Sequence, residues 1–331
     1  MNASFRAMIV EETPEGGVTR RVGTRQVVEL PPGDVLIRVR YSALNFKDAL
    51  SATGNRGITR RYPHTPGVDA AGVVEASTDP AFAKGAEVIV TGYDLGMNTA
   101  GGFGEYIRVP AGWVVPRPAG LTLREAMALG TAGLTAALAV EALQDGGVAP
   151  GSGPVLVTGA TGGVGSLAVS MLARAGYAVT AATGKGDRHA YLKELGAAEV
   201  IGREAVLGPA DRALLSSRWG GVVDTVGGVY LDAALRATRR AGVVAACGMV
   251  AAARLETNIF PFILRGVRLQ GIDTAETPMP KRRAMWVKLA GSWKPEGLAA
   301  MCEEVTLDGL DPYITRILAG QVAGRIVVKH S

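Results

Sequence analysis

A chain of 331 residues is about twice the usual size of one domain, so two domains are expected. With 48% hydrophobic and 20% charged residues it has the composition of an ordinary folded enzyme, and Cys247 and Cys302 are too few for a disulfide scaffold. The net charge of +5 favours an anionic ligand, but the basic residues are dispersed, without the runs or aromatic interleaving of nucleic-acid binders. No uncharged apolar stretch reaches the roughly 18–20 residues of a membrane span. The opening segment MNASFRAMIVEE has no basic leader before a long apolar core, so a cytoplasmic protein with no nucleic-acid or membrane partner is expected.

In chain order, residues 1–122 predict short strands broken by turns. Pro31-Pro32-Gly33 is a turn, residues 34–40 alternate apolar and charged, and Pro66-Gly67 and Gly101-Gly102 punctuate the later strands. The pattern then changes. Thr122 stands three residues before Glu125, a capping box for a helix over 123–143. Residues 154–159 fit a buried parallel strand, and 167–175 have helical spacing that ends at Gly176. A strand over 178–183 comes next, and Asp187 is placed to cap a helix that stops at Gly196. Residues 222–224, 243–246 and 267–271 supply further strands. This alternation predicts an α/β fold, a doubly wound parallel sheet over 123–275 inserted into a β-rich domain of 1–122 and 276–331. The strand-like segment 324–329 is expected to return to the first domain.

Between a strand and a helix lies Thr158-Gly159-Ala160-Thr161-Gly162-Gly163-Val164-Gly165. Gly162 would let the backbone approach a pyrophosphate, Gly165 would permit close helix–strand packing, and the helix N-terminus offers free N–H groups. A ligand-free β–α turn is the alternative. NAD-binding folds place an Asp or Glu about 20 residues past this loop, to hold the ribose 2′-hydroxyl. The chain has Thr183-Gly184-Lys185-Gly186-Asp187-Arg188 there, a hydroxyl and two cations that suit a 2′-phosphate, and NADPH is the predicted cofactor. A solvated surface turn is the competing explanation.

Four segments resemble the medium-chain dehydrogenase/reductase superfamily: Pro66-Gly67-Val68-Asp69-Ala70-Ala71-Gly72, residues 130–137 (GTAGLTAA), the glycine loop, and Asp224-Thr225-Val226-Gly227. Leu44-Asn45-Phe46-Lys47-Asp48-Ala49-Leu50, Ala245-Ala246-Cys247-Gly248 and residues 261–271 resemble its zinc-free acrylyl-CoA reductase branch, whose members also bear a quinone oxidoreductase label. The resemblance spans nearly the whole chain. It implies a GroES-like catalytic domain built from both chain ends, a Rossmann domain between them, a site in the interdomain cleft and a homodimer. It also implies NADPH-dependent reduction of acryloyl-CoA to propanoyl-CoA. Cofactor contacts are implied at Phe46, Thr131, Thr161, Gly162, Gly163, Val164, Thr183, Gly184, Lys185 and Arg203, and charge adds Arg188.

Zinc relatives in this superfamily use Cys, His and Glu ligands. Cys247 lies in a Rossmann strand, Cys302 is near the end, and His64, His189 and His330 are scattered, so no metal site is expected. Hydride transfer from nicotinamide C4 to the β-carbon of an enoyl thioester fits better, with charge building on the thioester oxygen and the α-carbon then protonated. Asn45, Asp48 and Asp69 are the candidate catalytic residues. Asn45 could donate to a carbonyl oxygen and Asp48 could orient Lys47 or a water, although Asn and Asp also simply stabilise turns. Asp69 occupies the place of a Glu in zinc relatives and either faces the cleft or pairs with an arginine. Phe46 replaces a common Tyr, which excludes a phenol there; Tyr93 is a possible substitute. Arg60, Arg61 and Arg283, from the groups Arg56/Arg60/Arg61 and Lys281-Arg282-Arg283, could meet the phosphates of an acyl-CoA or form a solvated face. His64 is expected to be structural or exposed. A quinone acceptor and an NADPH-binding protein of little turnover are the competing functions.

Overall fold

A computed structural model describes residues 3–331, which divide into two units. One runs to Thr131 and resumes over Ala275–Gly291 and Gly297–Ser331; the other comprises Ala132–Thr274 and Ser292–Glu296. The division falls beyond the boundary expected at 122, inside a helix that opens at Leu123.

The first unit opens with an antiparallel hairpin of β1 (Ser4–Glu12) and β2 (Val18–Gln26). Strand β3 (Val35–Leu44) leads into α1 (Phe46–Ala52), and β4 (Asp69–Ser77), β5 (Glu87–Thr91), β6 (Tyr106–Val109) and β7 (Val114–Pro116) come after it. The alternation read at 34–40 understates burial in β3. Val35, Ile37 and Val39 enter one core while Leu36 packs with Phe5, Ala7 and Val27 in another, so both faces are covered.

Helix α2 (Leu123–Asp145) starts at the predicted box: Glu125 N–H donates to Thr122 Oγ1 (3.1 Å), and Thr122 N–H to Glu125 Oε2 (2.9 Å). It is broken at Gly130, where φ is 53° and ψ is −154°. Among the described helices this one is long and apolar enough to cross a membrane, but 83% of its apolar window is buried within the protein, as in a core helix.

In the second unit, β8 (Val155–Val157), α3 (Gly163–Arg174), β9 (Val179–Thr183), α4 (His189–Glu194), β10 (Glu199–Gly202), β11 (Trp219–Asp224), α5 (Gly228–Ala237), β12 (Thr238–Ala246), α6 (Phe260–Arg265) and β13 (Arg268–Gly271) alternate as expected. The six strands are parallel, in the order β10-β9-β8-β11-β12-β13. The order reverses between β8 and β11, and ligands of such sheets bind at the carboxyl ends of the strands beside that point. Leu231, Ala234 and Leu235 of α5 pack on Leu156, Val222 and Val244 of the sheet.

The chain re-enters the first unit with α7 (Met279–Ala290), β14 (Cys302–Thr306), α8 (Asp311–Leu318) and β15 (Arg325–Lys329). Strand β15 pairs antiparallel with β3, Ile326 facing Leu44, so the returning strand is found where it was expected. Asp69 faces Thr91 across β4 and β5. One end of the seven-stranded sheet therefore gathers the last residue of β3, the first of β4 and β15, and the last of β5.

Candidate active site and cofactor site

Gly162 is the N-cap of α3 and offers no side-chain cap, so the first amides of this twelve-residue helix point outward from a half-exposed turn of Gly162, Gly163 and Val164. Each glycine of the loop has a separate task. A side chain on Gly165 would strike the carbonyl of Gly159, and one on Gly159, whose φ is 58°, would strike the Thr225 hydroxyl. Around Gly162 only the Gly159 oxygen is near, at 3.3 Å from a hypothetical Cβ, which leaves the approach to the backbone open. Buried Asp224 braces the loop from below. It accepts from Thr158 Oγ1 (2.7 Å) and from Gly227 N–H (2.8 Å), while Thr225 Oγ1 donates to the Thr158 carbonyl (2.9 Å). These residues fit a dinucleotide pyrophosphate.

At the tip of β9, Thr183 Oγ1 accepts from Lys185 N–H (3.1 Å) and lies 3.4 Å from Thr161 Oγ1. The Arg203 side chain lies over Gly184, so a side chain at 184 would crowd it. Lys185 has its pKa lowered by burial and by the neighbouring charge of Arg188, with Asp187 acting the other way. Three cations therefore converge on the ends of β9 and β10, against two carboxylates, Asp187 (3.2 Å from Arg188) and Glu204 (2.9 Å from Arg203). Asp187 does not cap a helix as expected. Residues Gly186–Arg188 form a 3-10 turn, α4 begins after Arg188, and the Asp187 carboxylate turns to the adjacent guanidinium instead.

The three candidate catalytic residues do come together, at the end of the seven-stranded sheet. Asn45 is the N-cap of α1, and its Nδ2 donates to Asp48 Oδ2 (3.1 Å) and Asp69 Oδ2 (2.8 Å). Its Oδ1 accepts from Arg325 Nη1 (3.1 Å). Both amide hydrogens are thus committed to carboxylates, which corrects the expectation that Asn45 donates to a substrate carbonyl. Asp48 is likewise turned inward. It accepts from Val68 N–H (2.8 Å) and Asn45 N–H (2.8 Å), so the expected orientation of Lys47 gives way to backbone contacts. Asp69 accepts from Thr131 N–H (2.9 Å) and Thr131 Oγ1 (2.6 Å), and its carboxylate lies 3.7 Å from Arg325 Nη2, so of its two expected roles it takes the arginine pair.

Asp48 and Asp69 are both 0% exposed and Arg325 3%. Burial, reinforced by the charge of Asp69, pushes the Asp48 carboxyl up to about 7, against the pull of the N–H donors from Val68 and Asn45. Burial also raises Asp69, while Arg325, Thr131 and Asn45 hold it down. Gly130 makes room for the pair, because a side chain there would collide with Asp69 Oδ2 and crowd Arg325. Arg325 escaped sequence reasoning; the available signal was an arginine opening a strand of otherwise buried Ile326, Val327 and Val328.

Phe46, the first residue of α1, is half-buried, and Thr131 gives its amide and hydroxyl hydrogens to Asp69. Arg60, Arg61 and Arg283 are exposed. Their neighbour Arg282 is not part of a solvated face: it is 0% exposed and donates from Nη1 to the Thr91 carbonyl (2.6 Å) and Oγ1 (3.0 Å), and from Nη2 to the Ala275 carbonyl (2.9 Å). Its guanidinium lies 4.3 Å from the centre of the Tyr93 ring, which stacks on Trp113 at 5.4 Å and 6°. His64 is buried, as one of its two expected placements required.

A six-stranded parallel sheet whose strand order reverses beside a glycine loop, inserted in the chain of a mostly antiparallel β unit, is the architecture of a dinucleotide-binding protein. Residues 31–119 match the alcohol dehydrogenase GroES-like domain family and residues 163–288 the zinc-binding dehydrogenase family. The chain belongs to the medium-chain dehydrogenase/reductase superfamily, in the branch that holds the acrylyl-CoA reductase AcuI and YhfP. AcuI of Ruegeria pomeroyi is 43% identical over 98% of both chains. YhfP of Bacillus subtilis, which carries the name of a quinone oxidoreductase, is 44% identical over 99% of this chain and 100% of its own; its structure, solved with NAD bound, superposes with a TM-score of 0.96. The yhdH oxidoreductase of Salmonella enterica, solved in complex with NADP, is 43% identical with a TM-score of 0.95, covering 98% of this chain and 100% of its own. Despite the name of the second family, the described residues contain no group of three His, Cys, Asp or Glu side chains able to hold a metal ion.

Proposed function

We propose that this protein uses NADPH to reduce the carbon–carbon double bond of an enoyl-CoA, with acryloyl-CoA as substrate and propanoyl-CoA as product. The observation that carries the cofactor choice is the convergence of Lys185, Arg188 and Arg203 beside Thr183, with no carboxylate at the end of β9 itself. The choice of substrate rests on the full-length likeness to AcuI. When bound, NADPH supplies a hydride to the β-carbon. The α3 amides of the Gly162–Val164 turn would hold its pyrophosphate, and Thr183, Lys185, Arg188 and Arg203 its 2′-phosphate. Asn45, Asp48, Asp69 and Arg325 act as positioning residues, fixing the start of α1 that carries Phe46 and Lys47. Arg60, Arg61 and Arg283 remain exposed cations able to meet the phosphates of coenzyme A.

The test is NADPH oxidation, followed by nicotinamide absorbance, with acryloyl-CoA, crotonoyl-CoA and a quinone offered separately. Fast turnover of acryloyl-CoA is expected. Turnover of the quinone alone would establish the second reading, which is favoured by the name of YhfP and by the exposure of Arg60, Arg61 and Arg283. Tight NADPH binding with no turnover of any acceptor would make the protein a binder.

A homodimer belongs to the same proposal. Strand β13 ends its sheet, its four residues, Leu269 among them, are all exposed, and Phe260, Ile263 and Leu264 of α6 are apolar and exposed. A free edge of that kind is self-complementary about a two-fold axis, and a second copy of β13 would extend the sheet. Leu269→Lys is expected to convert the dimer to a monomer in light scattering; an unchanged mass would place the interface elsewhere.

A further inference from the structure

The enolate-like oxygen of the proposed reaction needs a hydrogen-bond donor, and the residues foreseen for that task do not supply one. Both Asn45 amide hydrogens are taken by Asp48 and Asp69, and position 46 is Phe. A different group at the same end of the sheet carries the signs of a functional side chain. Tyr93 lies two residues past the end of β5, and the last residue of β5, Thr91, faces Asp69. Its φ is 50°, directly after Gly92 at 73°, so the chain leaves the strand through two successive left-handed residues. Glycine or asparagine fills such a position at little cost, whereas a bulky side chain there stores about 1–3 kcal/mol. Among the described residues only Ala241 shares the feature without being glycine. Retaining a tyrosine against that cost points to a use for its side chain.

The surroundings hold the ring in one place. Tyr93 N–H donates to the Ala275 carbonyl (3.0 Å), Trp113 stacks parallel to one side of the ring, and the Arg282 guanidinium lies against it at 4.3 Å. Arg282 is itself fixed by Thr91 and Ala275. A phenol carries one hydrogen that it can give to an acceptor. Tyr93 remains half-exposed, so a ligand can reach the residue.

We propose that the Tyr93 hydroxyl donates a hydrogen bond to the thioester oxygen of the acyl-CoA substrate, with Arg282 and Trp113 as positioning residues for its ring. This rests on the enoyl-CoA reading above. The role is electrostatic: the phenol keeps its proton while charge builds on the oxygen, and the α-carbon takes its proton from water.

Tyr93→Phe keeps the ring, the stack and the cation contact and removes only the hydroxyl. With acryloyl-CoA, kcat is expected to fall about 100- to 1,000-fold, the loss typical of one oxyanion donor. The KM for NADPH and the thermal midpoint are expected to stay where they are. A Tyr93→Phe enzyme with wild-type kcat would overturn the assignment, and so would a fall in kcat matched by a lower thermal midpoint, which would mark a structural role. A wild-type enzyme inert toward acryloyl-CoA would overturn the substrate reading together with this one. Wild-type turnover that survives in the variant would overturn this one alone.

Discussion

The glycine loop of the second unit and the buried cluster of the first both gather polar groups at the ends of strands, but they treat their hydrogen bonds in opposite ways. Around Gly162 the amides of α3 are left without side-chain partners, and Lys185, Arg188 and Arg203 stand where solvent or a phosphate reaches them. Around Asp69 the amide, carboxylate and guanidinium groups are directed at one another, at 0–3% exposure for the three charged residues. A binding site keeps donors turned toward its ligand, whereas a site that fixes geometry satisfies them internally. The three residues that the sequence nominates for catalysis belong to the second kind.

The sharpest way to break that contrast is Asp69→Ala, which strands Arg325 without its buried partner. A loss of about 3–5 kcal/mol is expected in denaturant unfolding, because an uncompensated buried charge is left behind. Pairing it with Arg325→Met should recover much of the loss; a loss under about 1 kcal/mol in the single variant would mean that the cluster is solvated after all.

His330 tests the same inward arrangement by pH. It is buried with Nε2 at 2.8 Å from the Gly102 carbonyl, and burial pushes its pKa down to about 4 from the ordinary 6.5. Between those values the unfolded chain binds the proton that the folded one refuses. Stability from this residue is therefore present above about pH 6.5 and is lost as pH falls toward 4, by about 2–3 kcal/mol. Thermal midpoints measured across that range should slope less in His330→Gln than in the parent.

On the open side of the comparison, Lys185→Ala with Arg188→Ala should raise the KM for NADPH about 10- to 100-fold, as the loss of charge-assisted hydrogen bonds implies, and leave that for NADH in place. Equal effects on both cofactors would remove the 2′-phosphate from this corner. The smallest expected effect is none: dialysis against a chelator should leave NADPH oxidation unchanged, and a loss restored by zinc would reveal a metal site.

Much of the fold was legible because periodicity reports burial. The strand–helix alternation from 154 to 271, the Thr122–Glu125 box and the return of β15 all carry local signals. The break at Gly130 did not, because a glycine inside a helical pattern looks the same whether it is tolerated or required; what requires it is the Asp69–Arg325 pair, far away in sequence. Arg325 was invisible for the same reason. Asn45, Asp48 and Asp69 could be nominated by type, but whether their atoms face a ligand or each other depends on partners set by tertiary register. Arg282 shows the reverse error: three basic residues in a row suggest a wet surface, and the middle one is buried under Tyr93.

The pairing of β15 with β3 also sets a schedule. The second unit is nearly continuous in the chain, whereas β3, which pairs early with β4 and β6, has one edge that is completed only by a strand made much later. Arg325 opens that strand, so until it emerges Asp48 and Asp69 share their corner with no cation from β15. During synthesis the buried cluster around Asp69 is therefore completed only when the last strand of the chain has emerged.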